Sequence, residues 1–235
     1  MTAVPYAHEQ AEHFRQELYA WLRIPSVSTD RAFAGECRRA ADWLLDHFQA
    51  MGLQAERIDT TRNPLIYAEW LGAGAGAPTV LIYGHYDVQP AVVEDGWDTE
   101  PFEPVEKDGK MYARGTTDDK GQTFVHIKAV ESLLKTEGKL PVNVRFIIEG
   151  EEESGSGSIK QFVDEHPERL QADTCVISDT GMVRIDQPVI IYALRGGMVC
   201  ELHVSGPRQD LHSGMYGGTV HNPAQALAEI LAKLH

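Results

Sequence analysis

Three short apolar runs end on residues able to carry chemistry. Thr79–Tyr83 (TVLIY) leads directly to His85 and Asp87 in GHYDVQP. The run Val142–Glu149 leads to Glu151, Glu152 and Glu153, and Thr174–Ser178 ends at Asp179. Each is too short for a helix and rich in β-branched and aromatic residues, as a buried strand is. Helical stretches separate them, at Lys120–Lys135 and Ile159–Glu165. Strands alternating with helices predict an α/β fold, a three-layer domain around a mixed sheet. Open α/β sheets place ligand sites at the carboxyl ends of their strands. The fold expectation alone therefore puts His85 and the acidic residues along one edge.

The rest of the chain fits that plan. Helices are expected over His8–Leu22, with Phe14, Leu18 and Leu22 on one face, and over Gly35–Met51, with Gly52 closing it. Leu53–Ile58 and Leu65–Trp70 read as further strands, and VEKDGKMYA as a hairpin turning at Asp108–Gly109. The pattern changes near Leu194–Gly197, which divides the chain into residues 1–194 and 195–235. In the second part Met198–Ser205 reads as a strand. After a Gly-rich loop, Asn222 and Pro223 open a helix with Leu227, Ile230, Leu231 and Leu234 on one face. One strand and one helix cannot bury a core alone.

Charge narrows the chemistry. Against 21 Lys and Arg stand 35 Asp and Glu, a formal net charge of −14. Acidic residues packed as closely as Asp118 and Asp119, or Glu151 to Glu153, repel one another and raise each other's pKa. Where they abut apolar strands they need a counter-charge, which divalent cations supply. Residues two apart in a strand point to the same side, so His85 and Asp87 can converge as metal ligand and the carboxylate that orients it. Histidine with carboxylates suits zinc, and also manganese or cobalt. Glu152 beside Glu153 allows one to bind metal while the other handles a proton.

GHYDVQPA, YARGTTDDKGQ, EGEEESGSGS, CVISDTG and DLHSGMYGG occur in this order. The combination resembles the M20 family of dinuclear zinc metallopeptidases, in particular its dipeptidase, carnosinase-like branch, from about Leu22 to the last residue. The resemblance implies that His85 and Asp179 bind one metal, that Asp118 bridges two, and that Glu153 binds the second. It makes Glu152 the general base and Asp87 the orienter of His85, with a cis peptide between Asp118 and Asp119. His212, in DLHSG, would reach the active site of a partner subunit and help hold an oxyanion, which implies a homodimer. Residues 195–235 would be the first half of a ferredoxin-like α+β lid. The rest of the lid, a last histidine ligand and the binders of the substrate carboxylate would lie outside residues 1–235.

The implied activity is hydrolysis of the peptide bond of a dipeptide or short peptide with two divalent metal ions. The alternatives are an N-acyl-amino-acid deacylase and an inactive fragment serving as a metal-binding or dimerising module. The acidic balance argues against binding a nucleic-acid backbone. No apolar span of 18 residues and no basic start with an apolar stretch are present, so neither membrane insertion nor secretion is expected. Cys37, Cys175 and Cys200 are scattered through helix and strand patterns and read as buried thiols. Together these features give the expectation of a cytoplasmic protein. His203 and His221 are assigned to structure.

Overall fold

A computed structural model describes residues 2–234. It divides into two compact units, one through Val189 and one from Ile190. In the first, a five-stranded sheet is built from β1 (Gln54–Ile58), β2 (Leu65–Trp70), β3 (Thr79–His85), β6 (Asn143–Glu149) and β7 (Thr174–Ile177). The order is β1-β2-β6-β3-β7. β1, β2 and β6 pair antiparallel, whereas β3 lies parallel between β6 and β7. β4 (Val105–Lys107) and β5 (Lys110–Tyr112) form the expected hairpin, with positive φ at both Asp108 and Gly109.

Side-chain alternation sorts the sheet residues onto two faces. Ile66, Ala68, Ile82, Phe146 and Ile148 face a core completed by α2 (Ala11–Leu22), α3 (Ala34–Ala50) and α4 (Lys120–Glu137), through Trp21, Leu44, Phe48 and Ile127. Leu65, Tyr67, Leu81 and Ile147 face the other way, against Ile159 and Phe162 of α5 (Gly157–Glu165). The three-layer arrangement is thus set by a period of two in the strands. The crossover from β3 to β6 carries α4 on one face, and that from β6 to β7 carries α5 on the other. The carboxyl ends of three parallel strands therefore open onto one crevice.

Several boundaries and environments differ from expectation. The first helix is two, α1 (Ala3–Glu9) and α2, broken at Gln10, whose φ of −88° and ψ of 4° leave the helical region. Gly52 does close α3, at a φ of +88°. β3 runs on to His85, so the histidine stands in the strand itself. Cys37 is buried, but Cys175 and Cys200 are exposed. Cys175 lies on β7, an edge strand with much of its surface uncovered, and Cys200 in irregular chain.

The second unit holds α6 (Ser213–Tyr216) and α7 (Pro223–Lys233). Asn222 caps α7 as expected, its side chain accepting from the Ala224 N–H at 2.9 Å. Met198–Ser205 is not a strand, and no strand occurs among the described residues from Ile190 on. Its alternating pattern lacks a neighbour to complete a ladder, without which extended chain is not held. The expected half of a ferredoxin-like sheet is accordingly not formed. Among the described residues no helix is long and apolar enough to cross a membrane.

Candidate metal centre

β3 delivers His85 to the crevice, and a glycine makes room beside it. A Cβ on Gly84 would lie 2.0 Å from Thr123 Oγ1 and 2.7 Å from Asp119 Oδ2. Those atoms sit there because Asp119 Oδ2 accepts from the His85 backbone N–H at 3.1 Å and from the Thr123 hydroxyl at 2.8 Å. The start of α4 is thereby clipped to β3, and the loop preceding it, with a cis Asp118–Asp119 peptide as expected, is held against the strand end.

His85 and Asp87 are fully buried. His85 Nδ1 stands 3.0 Å from the Asp87 carbonyl oxygen and 3.3 Å from its carboxylate Oδ1. With the proton on Nδ1 donated to Asp87, Nε2 is left as the ligating atom. Nε2 faces Asp118 Oδ1 at 3.1 Å and Asp179 Oδ2 at 3.6 Å. Asp87 is itself fixed: Oδ2 accepts from the Ser28 hydroxyl at 2.5 Å and the Glu153 N–H at 3.1 Å, and Oδ1 from the Glu152 N–H at 3.2 Å. One carboxylate thus orients the histidine and ties down the turn that presents both glutamates.

The three consecutive glutamates divide. Glu151 is buried, accepting from the Asn63 N–H at 3.1 Å and the Ser158 hydroxyl at 2.6 Å, and is a structural anchor. Glu152 and Glu153 are half-buried. Burial raises both carboxyls, as do neighbouring charges, among them Glu153, Asp179 and Asp87 for Glu152, and Asp118 and Asp87 for Glu153. Gln89 steadies Glu153, donating from Nε2 to Oε2 at 2.7 Å.

One ligand atom from each of His85, Asp118 and Asp179 falls within 4.8 Å of the others. Glu153 is outside this tightest set but close enough to feel the charge of Asp118. Among the described residues no Lys or Arg makes an ion pair with Asp87, Asp118, Glu152, Glu153 or Asp179. The consequence is visible at His85. Burial alone would drive its proton off, yet the hydrogen bond to Asp87 and the charges of Asp87, Asp119 and Asp179 lift its pKa to about 10. A buried imidazole in a field that strong calls for a cation. A divalent ion satisfies that field, and nitrogen with carboxylate oxygens is a donor set that zinc, manganese or cobalt accepts. The residues fit a metal.

Four residues that shape the centre were not singled out from sequence, Asn63, Gln89, Ser28 and Glu149, and Asp119 and Glu151 were read as members of acidic clusters with no role of their own. Glu149, paired with His85 in the sheet register, is fully buried. It accepts from the Tyr83 hydroxyl at 2.7 Å, and burial pushes its carboxyl up. The available signal was Gly84, since a glycine inside a strand marks close approach by another chain segment. His212 lies in the second unit. It is exposed and caps α6, its Nδ1 accepting from the Gly214 N–H at 3.1 Å.

Comparison with known proteins finds a family and relatives that match over most of the chain. The model of the peptidase family M20/M25/M40 matches residues 81–232. The Cys-Gly metallodipeptidase dug1 of Schizosaccharomyces pombe is 36% identical over 239 residues, 96% of this chain and 50% of its own length. The human Beta-Ala-His dipeptidase is 36% identical over 244 residues, 97% of this chain and 48% of its own. Among solved structures, the dipeptidase Dug1p of Saccharomyces cerevisiae superposes with a TM-score of 0.77 at 31% identity, over 98% of this chain and 51% of that one. Human carnosine dipeptidase 1 gives a TM-score of 0.72 at 32% identity, over 98% and 51%. The chain spans about half the length of the curated relatives it matches.

Proposed function

Since the chain belongs to the peptidase family M20/M25/M40, we propose that it supplies the metal-binding half of a dipeptidase that hydrolyses the peptide bond of dipeptides or short peptides. The observation carrying this reading is the buried His85, oriented by Asp87 and facing Asp118 and Asp179, with no Lys or Arg paired to these carboxylates among the described residues. The relatives named for Cys-Gly and Beta-Ala-His dipeptides support the substrate class.

In this reading His85, Asp118 and Asp179 would hold one divalent ion, and Glu153, with Asp118, would hold a second. Zinc is the first choice, with manganese or cobalt alternatives. Bound ions would polarise the scissile carbonyl and make a water acidic enough to attack at neutral pH. The chain's own residues do the rest. Asp87 keeps the proton of His85 on Nδ1. Glu152, poised by burial toward a higher pKa, takes the proton of the attacking water and passes it to the leaving amine. Gln89 holds Glu153 so that the two neighbouring carboxylates keep separate tasks. His212, exposed on the second unit, donates to the oxyanion formed in a partner subunit's site. The assembly is a homodimer.

The experiment compares Glu152→Gln with Glu153→Gln in the metal-supplemented protein, assayed on Cys-Gly and β-Ala-His with N-acetylated amino acids as the competing class. Glu152→Gln should keep metal content and lose about 10²–10⁴ in kcat, whereas Glu153→Gln should lose metal. Near-normal turnover in Glu152→Gln, or hydrolysis confined to acylated amino acids, overturns the assignment.

A further inference from the structure

A cleft of about 380 Å³ is lined in part by Ser28 and Asn63, which hydrogen-bond to Asp87 and Glu151. Arg31, Arg38 and Arg62 line it, with Asp30 its single acidic residue. On a molecule of net charge −14 this concentration of guanidinium groups is out of character. Neighbouring arginines find carboxylates: Arg39 pairs with Glu36 at 3.0 Å and Arg57 with Asp42 at 2.6 Å. Among the described residues none of the three cleft arginines has an ion-pair partner. Arg62 donates from Nη2 to the Ser28 carbonyl at 3.3 Å, leaving most of its donors free. Asp30 is engaged by its own backbone, Oδ1 accepting from the Ala32 N–H at 2.9 Å.

The walls are not loose surface. Ser28 is the residue whose hydroxyl donates to Asp87 Oδ2, and Asn63 is held by Glu151 through its N–H and donates from Nδ2 to the Gly150 carbonyl at 2.7 Å. Both are buried, so the cleft floor is fixed while the arginines above it are exposed. Rigid walls carrying planar, always-charged forks suit a small oxyanion, since a guanidinium donates two parallel N–H bonds to carboxylate or phosphate. A volume at the lower end of ligand pockets leaves room for a few heavy atoms beyond the anion itself. We propose that this cleft is an oxyanion-binding site, separate from the metal cluster, taking a phosphate- or carboxylate-bearing small molecule on Arg38 and Arg62, with Arg31 also lining it.

The test titrates inorganic phosphate, and separately acetate, into the chelator-treated 235-residue chain at constant ionic strength set with chloride. Binding is read by calorimetry and by the Nε–H NMR signals of the arginine side chains. Saturable millimolar or tighter binding that moves the Arg38 and Arg62 signals is expected. The double variant Arg38→Ala/Arg62→Ala should weaken it by about tenfold or more, as loss of charge-assisted hydrogen bonds requires. Arg39→Ala and Arg57→Ala should leave it within about twofold, as rearranged exposed ion pairs do. Preference for phosphate assigns phosphorylated ligands, and preference for acetate assigns carboxylates. Should the double variant fail to fold, the arginine signals of the unaltered chain still separate binding in the cleft from binding elsewhere. Absence of saturable binding by either anion, or binding that leaves the Arg38 and Arg62 signals unmoved, overturns the proposal.

Discussion

Glu17, His47 and Glu131 gather where α2, α3 and α4 meet, and His85, Asp118 and Asp179 gather at the strand ends. In each group, ligand atoms lie within 4.8 Å of one another. By composition the two are near twins. Their difference is a lysine. Lys128 Nζ stands 2.6 Å from Glu17 Oε2, from Glu131 Oε2 and from His47 Nε2, donating to Glu131 and ion-pairing with both glutamates. It is nearly buried, over the rings of Phe14 and Phe124 at 4.7 and 5.0 Å. The helix group has its cation built in and is a structural tie between three helices. The strand-end group has no Lys or Arg, and Asp118 and Asp179 keep side-chain exposures of 49% and 29%. A histidine between carboxylates is thus not by itself a metal centre. The source of the positive charge separates an internal strut from a site that recruits an ion.

The largest effect expected from this contrast follows removal of the built-in cation. Lys128→Met leaves Glu17 and Glu131 part-buried with no counter-charge and should cost about 3–5 kcal/mol, with or without metal. Replacing the ionic partners together, as Glu17→Gln, Lys128→Met and Glu131→Leu, should recover most of that loss, because apolar packing then stands in for the charges. Urea unfolding at neutral pH reads both. A Lys128→Met protein as stable as the parent would mean that the helix group does not depend on its lysine.

A smaller effect belongs to the strand-end group. Zinc at about a hundred times its dissociation constant should stabilise the first unit by about 2.7 kcal/mol, and a chelator should remove that gain. His85→Ala should abolish the response. Glu131→Gln should retain it, although Glu131 belongs to an equally compact set of potential ligands. Thermal melts of the three proteins with and without zinc decide it. A response lost in Glu131→Gln and kept in His85→Ala would exchange the roles of the two groups.

The strand-end group was legible in sequence because each contributor ends an element the sequence announces. His85 and Asp87 follow an apolar run, Glu152 and Glu153 follow another, and Asp118 precedes a helix. The sheet's period of two and the short runs between turn signals were enough to place them together. What escaped is carried by contacts distant in the chain. Nothing adjacent distinguishes Glu151 from its neighbours; it turns inward because Asn63, 88 residues away, meets it. Asp119 differs from Asp118 by clipping onto His85, 34 residues off. The Lys128 group takes one residue from α2, one from α3 and two from α4, so no local spacing reveals it. The segment Met198–Ser205 failed in the opposite sense, since its local pattern says strand and the ladder it needs is not present among the described residues.

The smallest effects, and the sharpest comparison, lie in acid. Burial opposes ionisation of Glu131, yet the neighbouring His47 and the hydrogen bond and charge of Lys128 hold its carboxyl at about 2. A folded-state pKa below the unfolded one contributes stability that is present above about 4.5 and lost as pH falls toward 2. Asp119 has the opposite sign. Burial lifts it to about 6 from 3.8, against the hydrogen bond from Thr123 and the charge of His85. It therefore weakens the metal-free fold at neutral pH, and that penalty disappears as pH falls from about 6 toward 4. Each limb should be worth about 1–2 kcal/mol once solvent screening is allowed for. In the presence of a chelator, Glu131→Gln should flatten the loss below pH 4.5 and leave the limb above it untouched. Asp119→Asn should flatten only the limb between pH 6 and 4. Urea midpoints measured from pH 7 down to pH 2 test both. If Glu131→Gln retained the full loss below pH 4.5, Lys128 would not be holding that carboxylate charged, and the contrast between a built-in and a recruited cation would fail at its first term.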